Sequence, residues 1–583
     1  MELAGLLTVL SAALYLYRDA PLGFFVQDDF GWLEESRFTS PAEYIKIFFR
    51  FNPALAYRPL SQETFFWAGQ KLFGMWPPGF HAASIALHLL NVLLLYLLLR
   101  QFAPWLPCLL GTLFFAVHNA HLRSLYWISA VPEPMALAFL LAAFLLFIRF
   151  DQQNDRRLYA LSLLAMGLGM LSKESILSLP FVLAGYCLIF SRARIFWALP
   201  FFALTGMYAV ARVTSRMVQA SPYPLTFGRE AWSNLVTYLS WAAGFSDALL
   251  KLKLKWNVEG SYPVVAAMFV LAVVALFLAS RDRRMATFAL LWFLFALQPV
   301  LYFSGHIYSY YLAPALAATA LLIASGFDRW RGIRHWKHFL AALALACFSL
   351  WSSLANVRRE GRWWNERSFI ARQIVNKMPE LDRQVPPGRI AFLFGFGPEE
   401  FGAMQNDAAL KAYGFSPNRF ILVGLDERTA GQVDILKQSG GLRDYFCFVY
   451  SKGGFENWTE EFRRKPEAFV AILPMEFLDK GSLDFVNRPE VRLEANVDGV
   501  TAGKDTLSFR VVGLDARAID VLYTLDGRLM PAVVGWQLDE NRATSVFVDS
   551  STRRGWYHYR AIRDSYGLDP KRWISVDVGV LVN

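Results

Sequence analysis

Two adjacent carboxylates, Asp28 and Asp29 in Gln27-Asp28-Asp29-Phe30, follow a short apolar run from Leu3 to Tyr17 and precede a series of longer ones. Crossing a bilayer takes about 20 apolar residues, so this first run suffices only if its ends snorkel or the bilayer thins, and the acids then lie close to the far interface. Ionisable groups near lipid are costly and are found mostly where they bind or react. The competing reading is that the pair caps a short helix beginning at Gly31 and running to Arg37. A second chemical pattern is His118 and His121, whose i, i+3 spacing puts both on one helical face and can hold a metal. No third or fourth zinc ligand stands nearby, so these histidines are expected to hydrogen-bond the acidic pair or line a cavity. His81 and His88 share a face as well and read as polar helix-packing contacts.

The elements that must position these groups are membrane spans. Of 583 residues, 55% are hydrophobic and only 18% charged, outside the range of an ordinary soluble protein. Apolar runs near 3–17, 79–99, 106–122, 131–149, 158–172, 175–190, 195–212, 263–279, 285–303, 308–327 and 339–356 predict about eleven crossings. The first run lacks a small-residue cleavage site and reads as a retained anchor. The net charge of +10 is concentrated in short loops, at Arg149 to Arg157, Arg192 to Arg194, Arg281 to Arg284 and Arg329 to Lys337. Such loops stay cytoplasmic, which places the N-terminus inside and the 18–78 loop outside. That distribution argues against a nucleic-acid surface. Residues 230–250, with Trp232, Tyr238 and Trp241, read as an interfacial or re-entrant helix, followed by the alternating Lys251-Leu252-Lys253-Leu254-Lys255. Cys108, Cys187 and Cys347 fall within apolar spans and Cys447 stands apart, so no disulfide framework can be drawn.

After Trp364 the apolar runs end and short strands with turns take over. Three regions follow: a membrane domain over 1–360, a small α/β region over 365–490, and an immunoglobulin-like β-sandwich over 491–583. With the N-terminus inside and an odd number of crossings, both C-terminal regions are extracytoplasmic. The fold class is thus a polytopic α-helical membrane protein with an extracytoplasmic α/β and β-sandwich tail.

One ordered set of short motifs carries a family likeness: Tyr57-Arg58-Pro59-Leu60, Phe73-Gly74, Gly79-Phe80-His81, His88-Leu89-Leu90-Asn91, Phe115 through His121, Trp127-Ile128-Ser129, Leu171-Ser172-Lys173-Glu174 and Tyr308 through Leu312. Together they resemble GT-C superfamily glycosyltransferases, above all the membrane portion of the transmembrane O-mannosyltransferases that carry tetratricopeptide repeats, and their bacterial relatives. The chain departs from that pattern at Asn119 and at Leu122-Arg123, and it lacks the repeats.

The resemblance implies inverting transfer of a sugar from a polyprenyl-phosphate donor to a protein, lipid or glycan acceptor on the outer face of a bacterial inner membrane. It maps the family's acidic pair onto Asp28 and Asp29, as the base that deprotonates the acceptor or as ligands of a divalent cation, Mg or Mn. It calls for a further acid between the third and fourth spans, which is Glu133 in Val131-Pro132-Glu133-Pro134. Candidates for holding the donor phosphate are Arg58, Lys173, Arg123 and His306. Glu174 and Tyr308 join His118 and His121 as cavity-lining candidates. Each cation has a structural reading too: Arg58 paired with Glu63, Lys173 with Glu174, and His306 packed at the interface. The alternative function is a ligase, flippase or scaffold of envelope polysaccharide assembly; a ligase would depend on outer-loop Arg and His without an essential acidic pair.

Overall fold

At a few helix ends the cap is local side-chain chemistry. Asn154, in the left-handed region at φ 54°, stops one helix, and the Asp155 carboxylate accepts from the Arg157 amide at 2.8 Å to start the next. Asp282 does the same for a later helix, accepting from Arg284 and Met285. The computed structural model describes residues 1–49, 57–214, 227–245, 258–280, 282–303, 306–327, 336–396, 398–422, 445–451 and 453–460, with eight strand segments between 492 and 582.

The chain divides into two compact units, Met1–Phe369 and Ile370–Asn583. The first is helical: α1 (Glu2–Leu16), α2 (Asp28–Glu35), α3 (Pro41–Lys46), α4 (Phe65–Phe73), α5 (Pro77–Leu99), α6 (Trp105–Ala116), α7 (Leu122–Tyr126), α8 (Pro132–Gln153), α9 (Arg156–Met170), α10 (Leu179–Phe190), α11 (Leu199–Thr214), α12 (Arg229–Ala242), α13 (Val258–Ala279), α14 (Arg283–Leu301), α15 (Ala313–Phe327) and, as far as Phe369, α16 (Trp336–Gln384). Helices stand at every predicted crossing, but among the described residues seven are long and apolar enough to span a membrane. The count of eleven is not established. Apolar runs overstate helix length here, because several end in 3-10 turns: the 106–122 run is α-helical only to Ala116 and breaks at His118. The α12 segment is 14 residues long and is not among the seven. Lys251 to Lys255 lies outside the described residues.

Alanine-rich α15 runs through the core, with Ala315, Leu316, Ala317, Ala318, Ala320 and Leu321 fully buried. Gly111 of α6 abuts the Ala320 carbonyl with no room for a Cβ, the close approach that small residues permit between membrane helices. Hydrogen bonds define two ends of the bundle. At one, Glu2 accepts from Tyr96 (2.6 Å) and Arg100 (3.0 Å), while Asp151 accepts from Tyr186, Ser191 and Arg194. The other end gathers the candidate site residues.

In the second unit, β1 (Ala391–Phe394) lies between β2 (Phe420–Leu422) and β3 (Phe446–Ser451), parallel to both, and β4 (Gly454–Asn457) pairs antiparallel with β3. The helices α17 (Pro398–Met404) and α18 (Ala408–Ala412) lie in the β1 to β2 connection, which matches the expected α/β pattern. Further on, β5 (Arg492–Ala495), β6 (Gly499–Val500), β7 (Thr506–Val512), β8 (Ala518–Leu525), β9 (Arg528–Gln537), β10 (Ala543–Phe547), β11 (Gly555–Ile562) and β12 (Ser575–Val582) form two sheets, ordered β10-β7-β5 and β6-β12-β11-β8-β9. Their pairings are antiparallel apart from β6 with β12.

Candidate active site

The two acids have different environments. Helix α2 starts at Asp28 rather than Gly31, so the pair forms its first turn and Gln27 takes the N-cap position. Asp29 is fully buried: Oδ2 accepts from the Val26 amide at 3.0 Å, and Oδ1 accepts from the Ser129 amide and hydroxyl at 2.7 and 2.5 Å. Burial raises its carboxyl to about 7 against the pull of those three donors, which favour the ionised form. Asp29 is a staple between the first loop and the turn before α8. Asp28 is only half-buried, and burial raises it too. With Asp29's oxygens so engaged, the pair does not offer two free carboxylates to a cation, and among the described residues no three His, Cys, Asp or Glu side chains converge on a metal position. The acids alone do not fit an all-protein cation cage.

The cations are held by partners other than the expected neighbours. Lys173 Nζ lies 2.8 Å from Glu133 Oε2, with side-chain exposures of 7% and 1%, and not on Glu174. Its ammonium also sits over the rings of Tyr310 (4.7 Å) and Tyr311 (4.3 Å). Burial pulls Lys173 down to about 8, and the neighbouring Arg58 adds to the fall, while Glu133 opposes it. The other oxygen of that carboxylate, Glu133 Oε1, is buried with no hydrogen-bond partner. Arg58 reaches Glu174 Oε2 through Nη2 (2.9 Å) and Nε (3.2 Å), rather than Glu63. The loop carrying Lys173 and Glu174 is tied to the Arg58 segment by Ser61 Oγ to Ser172 O (2.6 Å) and the Leu60 amide to Leu171 O (3.0 Å).

Arg123 sits over Tyr308 (4.7 Å) and Trp364 (5.8 Å). Tyr308 stacks on Tyr310 at 5.4 Å, so one tyrosine cluster contacts both Arg123 and Lys173. His306 packs edge-on to Tyr308 at 6.3 Å. Trp364 in turn stacks on Trp127 at 5.8 Å. Gly361 of α16 faces the Tyr126 ring, where a Cβ would stand 2.7 Å from ring carbon.

The histidines do not meet the acids. His118 Nδ1 accepts from the Ala120 amide at 3.1 Å, which leaves Nε2 to donate to Ala242 O at 3.3 Å. His121 packs on His88 and Phe115 at 4.6 and 4.5 Å. His81 and His88 bond the carbonyls of Leu125 and Ala116, as helix-packing contacts should. His81 and His88 thereby serve carbonyls at the ends of α7 and α6, while Nε2 of His81 and of His121 is buried without a hydrogen-bond partner among the described residues.

Sequence reasoning missed Ser129, Tyr310, Tyr311, Trp364 and Arg367. The first three stand inside motifs already quoted for the family likeness. The last two lie past the residue where the membrane domain was expected to end, although the first unit runs to Phe369. The dense run of Arg and Trp from Arg358 to Arg367 was the available signal.

The helical first unit thus brings a half-buried acid, paired cations and a tyrosine cluster to one end. Residues 58–218 of the chain match the family model described as dolichyl-phosphate-mannose-protein mannosyltransferase. That stretch contains Arg58, Arg123, Glu133, Lys173 and Glu174 but not the acidic pair. Among solved structures, the chain is similar to ArnT from Cupriavidus metallidurans in the apo state, at 14% identity and a TM-score of 0.45 over 76% of this chain and 92% of that one. It is similar to the same protein bound to undecaprenyl phosphate at 13% and 0.43, over 83% and 96%. The Archaeoglobus fulgidus oligosaccharyltransferase tethered with an acceptor peptide follows at 12% and 0.42, over 77% and 68%. None of the curated protein sequences compared with it matches.

Proposed function

We propose that this protein transfers a sugar, with inversion, from a polyprenyl-phosphate donor to an acceptor on the outer face of a bacterial inner membrane. The supporting observation is the buried Lys173, held between Glu133 and two tyrosines beside the Arg58–Glu174 pair, at the same end of the bundle as Asp28. Lys173, Arg58 and Arg123 take the donor phosphate and stabilise the charge that grows on it as the glycosidic C–O bond breaks. Asp28 acts as the acceptor-side base: burial raises its carboxyl above the ordinary range, towards the pH at which a base works best. Asp29 holds the loop and does not itself react. Glu133 keeps Lys173 charged and in place. The N-terminus is cytoplasmic in this reading, and the Ile370–Asn583 unit stands outside the membrane, where it contacts acceptor or partner.

The test is transfer of radiolabelled sugar from a panel of polyprenyl-phosphate sugars by purified protein, with and without chelator. Asp28→Asn is expected to lose transfer while keeping donor binding. Full transfer by Asp28→Asn would remove the base assignment, and chelator sensitivity would show that transfer needs a divalent cation.

A further inference from the structure

The turn that aims Asp28 is in an unfavourable conformation. Residues Val26 to Asp29 close a turn through the Asp29 amide to Val26 O (3.3 Å), with Gln27 at φ 55°, ψ −130°. These angles are those of the first central position of a type II′ turn, a place that glycine fills without cost and a side chain does not. Asp28 is the next residue. If Gln27 relaxed to negative φ, the Gln27–Asp28 peptide would rotate and the carboxylate would be re-aimed.

What holds Gln27 there comes from α16. With its amide oxygen turned to the guanidinium, Gln27 accepts from Arg367 Nη2 (3.1 Å) and Nε (3.2 Å), a two-pronged contact that only arginine supplies. Arg367 is itself seated over the Trp363 ring at 5.3 Å. On the same stretch of helix, Ser368 Oγ accepts from the Phe24 amide at 3.0 Å, and Asn365 Nδ2 donates to Asp19 O at 3.1 Å. The loop is thus gripped by Asn365, Arg367 and Ser368 on one side and by Ser129, through Asp29, on the other.

We infer that Arg367 is a positioning residue for Asp28, acting through Gln27: its fork holds the strained turn in the form that presents the carboxylate to the acceptor. This rests on Asp28 being the acceptor-side base.

The experiment compares wild type, Arg367→Met, the double variant Gln27→Gly/Arg367→Met, and Asp28→Asn in the radiolabelled transfer assay, with kcat and donor KM measured separately. Arg367→Met is expected to lower kcat by about a hundredfold, the order found for a misplaced reacting group, with donor KM unchanged. Adding Gln27→Gly should restore most of kcat, because glycine holds positive φ with no anchor. A merely structural role for Arg367 predicts no such rescue. Wild-type kcat in Arg367→Met, or a loss that Gln27→Gly leaves untouched, would overturn the inference while Asp28→Asn remains inactive. Full activity of Asp28→Asn would instead overturn the base assignment and this inference with it.

Discussion

Removing the negative partner of Lys173 should change the pH at which the enzyme works. Lys173 and Glu133 are buried at 2.8 Å, and loss of one member of such a pair costs about 3–5 kcal/mol unless the survivor neutralises. Lysine can do so by releasing its proton. From its present value of about 8, Lys173 is about three-quarters protonated at pH 7.5. Withdrawing about 3 kcal/mol of support moves its titration to near pH 6, which leaves roughly 3% protonated at pH 7.5 and predicts about a 25-fold fall in kcat/KM for donor. In wild type, kcat/KM should decline as pH rises through about 8; in Glu133→Gln the decline should begin more than a pH unit lower, and activity should recover at pH 6. The assay is donor-dependent transfer from pH 5.5 to 9 at saturating acceptor. The double variant Glu133→Gln/Lys173→Met should be inactive yet unfold at a higher temperature than Glu133→Gln, since it removes a buried lysine that the fold must otherwise hold deprotonated. An alkaline limb in the same place for Glu133→Gln and wild type would refute the pairing argument.

Asp29→Asn should lower the apparent unfolding temperature in detergent, because its amide nitrogen would face the Val26 N–H and lose one of three hydrogen bonds, a cost of about 1–3 kcal/mol. The Asp29 carboxyl is higher in the folded state, about 7 against 3.8, so the folded protein binds that proton more tightly; this contribution to stability is complete below pH 4 and is lost as pH rises through 7. That slope should be absent from a pH series of unfolding temperatures on the Asn variant. Gly361→Val should destabilise the first unit and reduce transfer, since its Cβ would meet the Tyr126 ring at 2.7 Å, and detergent stability and kcat together test it. Asp151→Ala, at the opposite end, should lower stability but leave donor KM unchanged; a raised KM would mean the two ends are coupled.

The sequence could be read where one residue's chemistry was enough and could not where geometry decided. The helices fall at the predicted apolar runs because hydropathy reports burial, but their number as crossings did not follow, since hydropathy is blind to breaks such as His118-Asn119. Asp28 and Asp29 were identifiable as an acidic pair beside an apolar run, and Glu133, Arg58 and Lys173 through the short motifs that carry the family resemblance. Their partners were not. Local spacing suggested Arg58 with Glu63 and Lys173 with Glu174, whereas contacts between helices gave Arg58 with Glu174 and Lys173 with Glu133. The unequal roles of Asp28 and Asp29 depend on Ser129, a hundred residues away along the chain. Gln27 gave no warning, because glutamine seldom adopts positive φ and nothing in its neighbours announces the turn.

Both principal cations of the site already carry a counter-ion, Lys173 with Glu133 and Arg58 with Glu174. In the proposed reaction, an incoming donor phosphate meets two ion pairs that are locally close to neutral and competes with a resident carboxylate for each of these two cations. Bare cations in so dry a place would grip the spent carrier lipid as firmly as the loaded one, and the enzyme would stall with its own by-product. Resident acids moderate that grip. As the departing phosphate leaves, each carboxylate is ready to recapture its cation, so the arrangement that weakens first binding also clears the site for the next turnover.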